Sequence, residues 1–354
     1  MHRFNTNHKS CTPIGIDLDY HEFRAVQYKS PNSSSPAALA TIPRAGSRSL
    51  IPSTQELELL RTTLSQRGFN GDRVAIAVPK ECSSFHILDL PPEGSGAPIE
   101  KLALLETQRS GAHKSSDLQI GFWKLPANEA PSKFQSPYYT VACETEPLDQ
   151  IIDLFESAGL LPVSVEPIET AISKSLSIHN EFTQDTIHSI VEIGWDHSWA
   201  IITLGDTPVY TRRIEHSVSR IRRSLIDDHA MPANSIEYLW DPQASAHLTD
   251  SPINRILASL LTPMLSDIVE QLDTALTYVS QQHRFAPFGL VFRSGYFAHL
   301  DQTANAIAQR TGMPTIELNA ISKGNDQDID TDSAFELLKS PRINIASGLA
   351  KGAA

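Results

Sequence analysis

Two stretches of the chain carry one hydrophobic pattern. Residues 189–203 open with Ile190, Val191 and Ile193 around a carboxylate, Glu192, and break at Gly194-Trp-Asp-His-Ser198. They turn apolar again through Trp199, Ala200, Ile201 and Ile202. Two β-rich runs divided by a short polar turn predict a hairpin. A second turn at Asp206-Thr-Pro208 leads into a third predicted strand, 209–214. Residues 14–28 follow the same plan, with Asp17 where Glu192 stands later, a short polar turn, and a return strand over 23–28. The stretches lie about half the chain apart, which points to duplication. Spacing alone leaves two unrelated hairpins as the alternative.

Read in order, residues 1–12 form a disordered lead-in, followed by strands at 13–18, 23–29 and 38–42. Leu57, Leu60 and Leu64 fall at helical spacing in 55–66, and Gly68 is the stop. Segment 74–79 predicts a buried strand and 86–91 a second strand, each ending at a proline, and a helix opens at Pro98 with Leu102 and Leu105 on one face. Strands at 117–125 and 138–143 and a helix at 147–158, stopped by Gly159, complete a self-contained block at 74–160. This block reads as an inserted small α/β subdomain. A strand at 163–166 and a helix at 167–179 follow.

The second half starts near Ile187. A helix is expected at 217–229, and one or two at 252–282, with Leu265, Ile268, Leu272, Ala275, Leu276 and Val279 as a core stripe. A strand at 289–293, a tight turn at Ser294-Gly-Tyr296 and a helix at 298–311 come next. A strand at 315–318, an Asp- and Asn-rich loop at 323–332 and a closing helix at 344–351 end the chain. The fold class is α/β (α+β). The first half is 13–73 with 161–186 and 340–354, and the second is 187–339 with a helical part at about 217–285.

At 354 residues the chain exceeds one compact core, so two or more domains are expected. A formal net charge of −12 argues against nucleic acid or an anionic membrane surface as the main partner. Arg212, Arg213, Arg220, Arg222 and Arg223 make the one basic cluster, read as a solvated helix face. Cys11, Cys82 and Cys143 are too widely spaced for a metal motif or a disulfide framework, which fits a reducing cytosol. The polar N-terminus lacks a signal-peptide core, and no apolar run nears the ~18 residues of a membrane span. Membrane association would then run through a partner, without direct insertion. Thirteen scattered histidines show no i, i+4 pair, which argues against zinc. His197 beside Ser198 is a neighbour in sequence only, not a nucleophile–base pair.

The order of these pieces resembles the actin-like ATPase superfamily, with two duplicated ribonuclease-H-like halves. The acidic strand–turn–strand occurs twice, a strand–glycine turn–helix stands late, and Ala346-Ser-Gly-Leu-Ala350 closes the chain. The inserted block, Pro79, Pro91, the helix at Pro98 and Gly159-Leu-Leu-Pro-Val-Ser-Val-Glu-Pro167 are similar to the branch holding the division protein FtsA and, most closely, the PilM-like pilus proteins. The resemblance covers about residues 12–352 and rests on order and spacing. It implies a cytosolic protein that binds ATP with Mg2+ in a cleft between the halves. It also implies a groove beside the inserted block that holds the cytoplasmic N-terminal peptide of a PilN-like membrane protein. Such a protein works in the inner-membrane platform of type IV pili or type II secretion, peripheral to the membrane through its partner, and the resemblance allows self-association.

The resemblance carries the family's site onto particular residues. In the first phosphate loop Asp17 matches the acid and Arg24 a lysine, while Asp19 replaces glycine and Tyr20 and His21 replace serines. In the second loop Glu192 replaces Asp, Gly194 is kept, Trp195 replaces a small residue and Ser198 stands near the Thr position. Ser294 and Gly295 match the adenosine turn, with Tyr296 next, and Glu270 matches the acid that meets the ribose. Asp17 and Glu192 would be the metal carboxylates, with Asp19 as a third. The departures disfavour ATP. A phosphate cradle needs close backbone approach, which glycine permits and side chains obstruct. An Asp19 carboxylate ~4 Å from a phosphate charge is opposed by about 4 kcal/mol at an effective dielectric near 20. The expectation is a scaffold with a degenerate nucleotide site rather than an enzyme. The alternatives are a sugar-kinase-like phosphotransferase and an FtsA-like filament protein. A kinase would keep small residues in both loops, and the FtsA-like protein would carry a basic amphipathic tail that Lys351-Gly-Ala-Ala354 does not supply.

Overall fold

The computed structural model describes residues 11–33, 35–44, 49–78, 83–92, 94–113, 115–125, 136–176, 182–240, 252–284, 286–319 and 341–353. Residues 1–10, Pro79, Cys82, the end of the helix expected to reach 179, and the loop expected at 323–332 lie outside them. The chain forms two compact units. One contains residues 1–174, 282–285 and 345–354, and the other 175–281 and 286–344.

The first unit opens with β1 (Ile14–Leu18), β2 (Glu22–Tyr28) and β3 (Pro36–Pro43), an antiparallel meander. Every residue of β1 and β2 is buried. In β2 the buried residues include the polar Glu22, Arg24 and Gln27, and buried polar groups need partners. Helix α1 (Thr54–Gln66) starts at a capping box in which Ser53 and Glu56 satisfy each other's backbone N–H groups. It buries Leu57, Leu60 and Leu64 against Ile14, Ile16, Phe23, Val74 and Ile76. Strand β4 (Arg73–Ala77) pairs parallel with β1.

Strand β5 (Ser83–Asp89), helix α2 (Ile99–Arg109), β6 (Leu118–Lys124) and β7 (Pro137–Glu144) follow. The three strands make a separate antiparallel sheet, ordered β5-β7-β6. Ala103 of α2 packs with Leu90 and Tyr138 in a small core of its own. Helix α3 (Thr145–Ser157) sends Ile151 and Phe155 into the main core, and β8 (Leu161–Glu166) rejoins the first sheet beside β4. Helix α4 (Ile168–Lys174) ends this run.

In the second unit β9 (Ile187–Ile193), β10 (Ser198–Leu204) and β11 (Thr207–Ile214) form another antiparallel meander. Helix α5 (Val218–Asp227) follows. A single helix, α6 (Pro252–Gln282), then runs through Pro263 with the predicted stripe buried. Strand β12 (Phe288–Gly295), helix α7 (Asp301–Thr311) and β13 (Thr315–Glu317) finish the unit. The sheets β3-β2-β1-β4-β8 and β11-β10-β9-β12-β13 share one order and one pattern of parallel and antiparallel pairs. The halves are therefore duplicates in fold.

Helix α8 (Asn344–Gly352) closes the chain, and from Ile345 onward it belongs to the first unit. Its fit there requires glycine. A Cβ on Gly15 of β1 would lie 2.0 Å from the Ala346 carbonyl oxygen, and one on Gly348 would lie 1.6 Å from that of Ala171. Tyr28 hydroxyl meets Ser347 Oγ at 2.5 Å, and Lys351 Nζ sits 4.5 Å from the centre of the Tyr28 ring.

Candidate functional site

The first hairpin brings three of the sequence-assigned residues together. Asp17 is the penultimate residue of β1 and stands directly opposite Arg24 of β2. The Asp19 N–H donates to the Glu22 carbonyl at 3.3 Å, closing the turn over Tyr20 and His21. Arg24 is buried, 2% exposed, and each of its nitrogens meets a different carboxylate. Nη1 donates to Asp17 Oδ2 at 2.9 Å, Nη2 to Asp19 Oδ2 at 3.0 Å and Nε to Glu22 Oε1 at 2.8 Å. Three buried acids this close would repel, and a fork of five fixed donors is the group suited to hold them. Arg44 adds a second tie. It donates to the Asp19 carbonyl oxygen at 2.9 Å and pairs with Glu56 at 2.9 Å, joining the turn to the cap of α1. Ser53 and Arg44 together hold the Glu56 carboxyl low, although burial alone would raise it.

The second hairpin is built differently. Glu192, penultimate in β9 and 3% exposed, stands opposite Trp199 of β10 on one side and Ser294 of β12 on the other. In this register Trp199 takes the place that Arg24 has in the first hairpin. Gly194 allows a close turn, since a Cβ there would lie 2.3 Å from the His197 carbonyl oxygen. The Gly194 and Trp195 carbonyl oxygens accept from the Val218 and Ser219 N–H groups at 3.2 and 2.8 Å, so they engage the first amides of α5. Ser198 is fully buried and donates to the His216 carbonyl at 2.7 Å.

Ser294 and Gly295 are still strand residues, paired with Glu192 and Ile193, where the sequence predicted a turn. The turn begins at Tyr296 and delays the helix start to Asp301. Gly295 permits this through φ +80 and a close approach. A Cβ there would lie 2.3 Å from the Ile193 carbonyl oxygen and 2.6 Å from Glu192 Oε1. Ser294 Oγ donates to the Pro341 carbonyl and accepts from Asn344 Nδ2.

Trp195 packs against two aromatic rings, Tyr296 at 5.7 Å and Trp240 at 6.0 Å between centroids. Phe297 lies against Trp240 at 5.6 Å, and the Arg342 guanidinium stands 5.1 Å over Tyr296. Tyr296 is thus 1% exposed, a packed residue. Glu270 is exposed on α6. Among the described residues, no group of three His, Cys, Asp or Glu side chains is arranged to hold a metal ion. Sequence reasoning passed over Glu22, Trp240, Phe297 and Arg342. Glu22 was readable, because it stands two residues before Arg24 in the return strand, where side chains at i and i+2 share a face. Trp240, between the second hairpin and a long helix, had no such signal.

No protein-family model matches the chain, and no curated protein matches it in sequence. Solved structures do. A type IV pilus biogenesis complex of PilM with PilN matches with TM-score 0.74 at 16% identity, over 97% of this chain and 98% of that one. The ethanolamine utilization protein EutJ of Carboxydothermus hydrogenoformans matches with TM-score 0.50 at 12% identity, over 98% and 91%. The chain has the actin-like ATPase fold in the form that PilM shows.

Proposed function

We propose that this chain is an actin-like scaffold of a pilus or secretion platform, and that it holds the cytoplasmic N-terminal peptide of a PilN-like membrane protein. The observation that carries the reading is the end-to-end likeness in fold to a PilM captured with PilN. The first unit supplies a sheet, an inserted three-stranded sheet and helices α1 to α3, the parts between which a peptide would lie in the groove expected beside the inserted block. An extended peptide or short helix there draws affinity from main-chain hydrogen bonds and apolar anchors. No helix among the described residues is long and apolar enough to cross a membrane, which fits attachment through that partner.

The proposal includes a nucleotide site that has lost its function. The side chains do not suit ATP with Mg2+, for three reasons. The guanidinium of Arg24 already sits among Asp17, Asp19 and Glu22, where a cation would have to compete with it. Trp195 is a bulky ring packed on Tyr296 at the two turns where small residues let phosphates and adenosine approach. The hydroxyls of Ser198 and Ser294 are committed to backbone carbonyls. The protein therefore works by binding and not by turnover. Calorimetric titration with ATP and Mg2+ tests this. The expected result is no heat up to millimolar nucleotide; saturable binding that Gly295→Trp removes would overturn it.

A further inference from the structure

Strand β11 is an outer strand of the second sheet. Among the described residues it pairs with β10 on one side and with no strand on the other. One row of its backbone N–H and C=O groups therefore has no strand to bond. The start of the strand is blunted, because Pro208 has no N–H and the register shifts between Ile202 and Thr203 of β10. Residues 210–214 pair regularly.

Successive side chains of this run leave opposite faces. Tyr210 and Arg212 share one face, where the Tyr210 ring packs on Tyr278 of α6 with 5.1 Å between centroids. Arg213 leaves the other face and donates to Glu215 Oε1 at 3.1 Å. The Glu215 carbonyl oxygen accepts from Arg220 Nη1 at 3.2 Å, which ties the first turn of α5 to the end of β11. Helix α5 buries Val218, Ile221 and Leu225, and Arg220 and Arg223 stand exposed. Residues 209–226 hold five arginines, no lysine and one acid, in a chain whose net charge is −12. Bulk composition thus does not account for the patch.

Charged side chains on an edge strand keep other strands away. Here the guard is of one sign, so it turns away apolar and basic strands and admits an acidic one. We propose that the free edge of β11 takes up an extended acidic segment of a partner protein as an added strand. Main-chain hydrogen bonds supply affinity, and the side chains of β11 supply selectivity. The residues that face Arg212 and Arg213 are neighbours in the added strand, and both are acids. The residue that faces Tyr210 is apolar or aromatic. An antiparallel segment therefore reads acid–acid–any–apolar, and a parallel one reads the reverse. Nucleic acid and anionic lipid have no backbone amides to pair with the edge, and the net charge opposes their approach. The edge belongs to the second unit and the proposed peptide groove to the first, so this inference survives the failure of that reading.

The test titrates the full chain into labelled, blocked peptides whose four central positions vary over acid, base and apolar residues. The expected result is tightest binding by acid–acid–any–apolar or its reverse, and none with lysine at the acid places. The double variant Arg212→Glu, Arg213→Glu should weaken binding roughly tenfold or more, and Arg255→Glu, exposed on α6, should leave it unchanged. With the wild-type chain, N-methylation of alternate residues of the best peptide should abolish binding, and N-methylation of the residues between them should not. Plain charge attraction does not produce that alternation. No binding of acidic peptides at millimolar protein, or N-methyl effects without alternation, would overturn the proposal. So would binding of oligothymidine or phosphatidylserine vesicles as tight as that of the best peptide.

Discussion

At Arg24 one guanidinium is shared by three buried carboxylates, all within hydrogen-bond distance. Removing one partner of a buried ion pair costs about 3–5 kcal/mol, because the other charge is left uncompensated. Arg24→Ala should therefore lower unfolding free energy by about that much in urea melts. Arg24→Lys should recover only part, since an ammonium cannot reach three acids as a fork. A neutral effect of Arg24→Ala would mean the acids are protonated or otherwise compensated.

His188 makes a second prediction. Its Nδ1 accepts the Leu290 N–H at 3.2 Å, so that nitrogen carries no proton, and Nε2 donates to the Thr183 carbonyl at 3.1 Å. Burial pushes its pKa below the usual value of 6.5, with the Thr183 bond opposing in part. As pH falls below the unfolded value of about 6.5, the unfolded chain takes up a proton that the folded chain refuses. Stability is then full above that pH and declines as pH drops towards the lowered folded value. His188→Gln should flatten this slope in melts between pH 7 and 5; an unchanged slope would remove His188 as its source.

Among the elements, α8 depends on two glycines. A methyl at Gly348 would overlap the Ala171 carbonyl of α4, which must move or push α8 away. Overpacking of this kind costs about 1–3 kcal/mol. Gly348→Ala should lower the melting temperature clearly, whereas Gly121→Ala, on β6 with open space around it, should change little.

The elements were largely legible in sequence because their apolar runs are long and strongly marked. The two meanders, α1 with Leu57, Leu60 and Leu64, and the stripe of α6 all read directly from periodicity. Boundaries were less legible. Ser294 and Gly295 read as a turn because glycine usually marks one, yet pairing with Glu192 and Ile193 keeps them in β12. The residues around Trp195 were legible only in part. Sequence spacing cannot bring Trp240 or Arg342 to Trp195 and Tyr296, because those contacts are made by tertiary packing across the second unit.

For the molecule as a whole, the repeated five-stranded sheet gives two similar frames with different chemistry at matching turns. The first turn holds a salt-bridged arginine and the second a packed tryptophan. In the proposed function these two side chains stand where a triphosphate would need a small, open approach, and the work of the protein lies in binding a protein. The most direct test is fluorescence anisotropy with a labelled peptide from the cytoplasmic N-terminus of the PilN-like protein encoded by the same genome. The account predicts saturable binding to the full chain that is unaffected by ATP and Mg2+ and is competed by unlabelled peptide. No binding at millimolar protein, or binding that appears only with nucleotide, would contradict it.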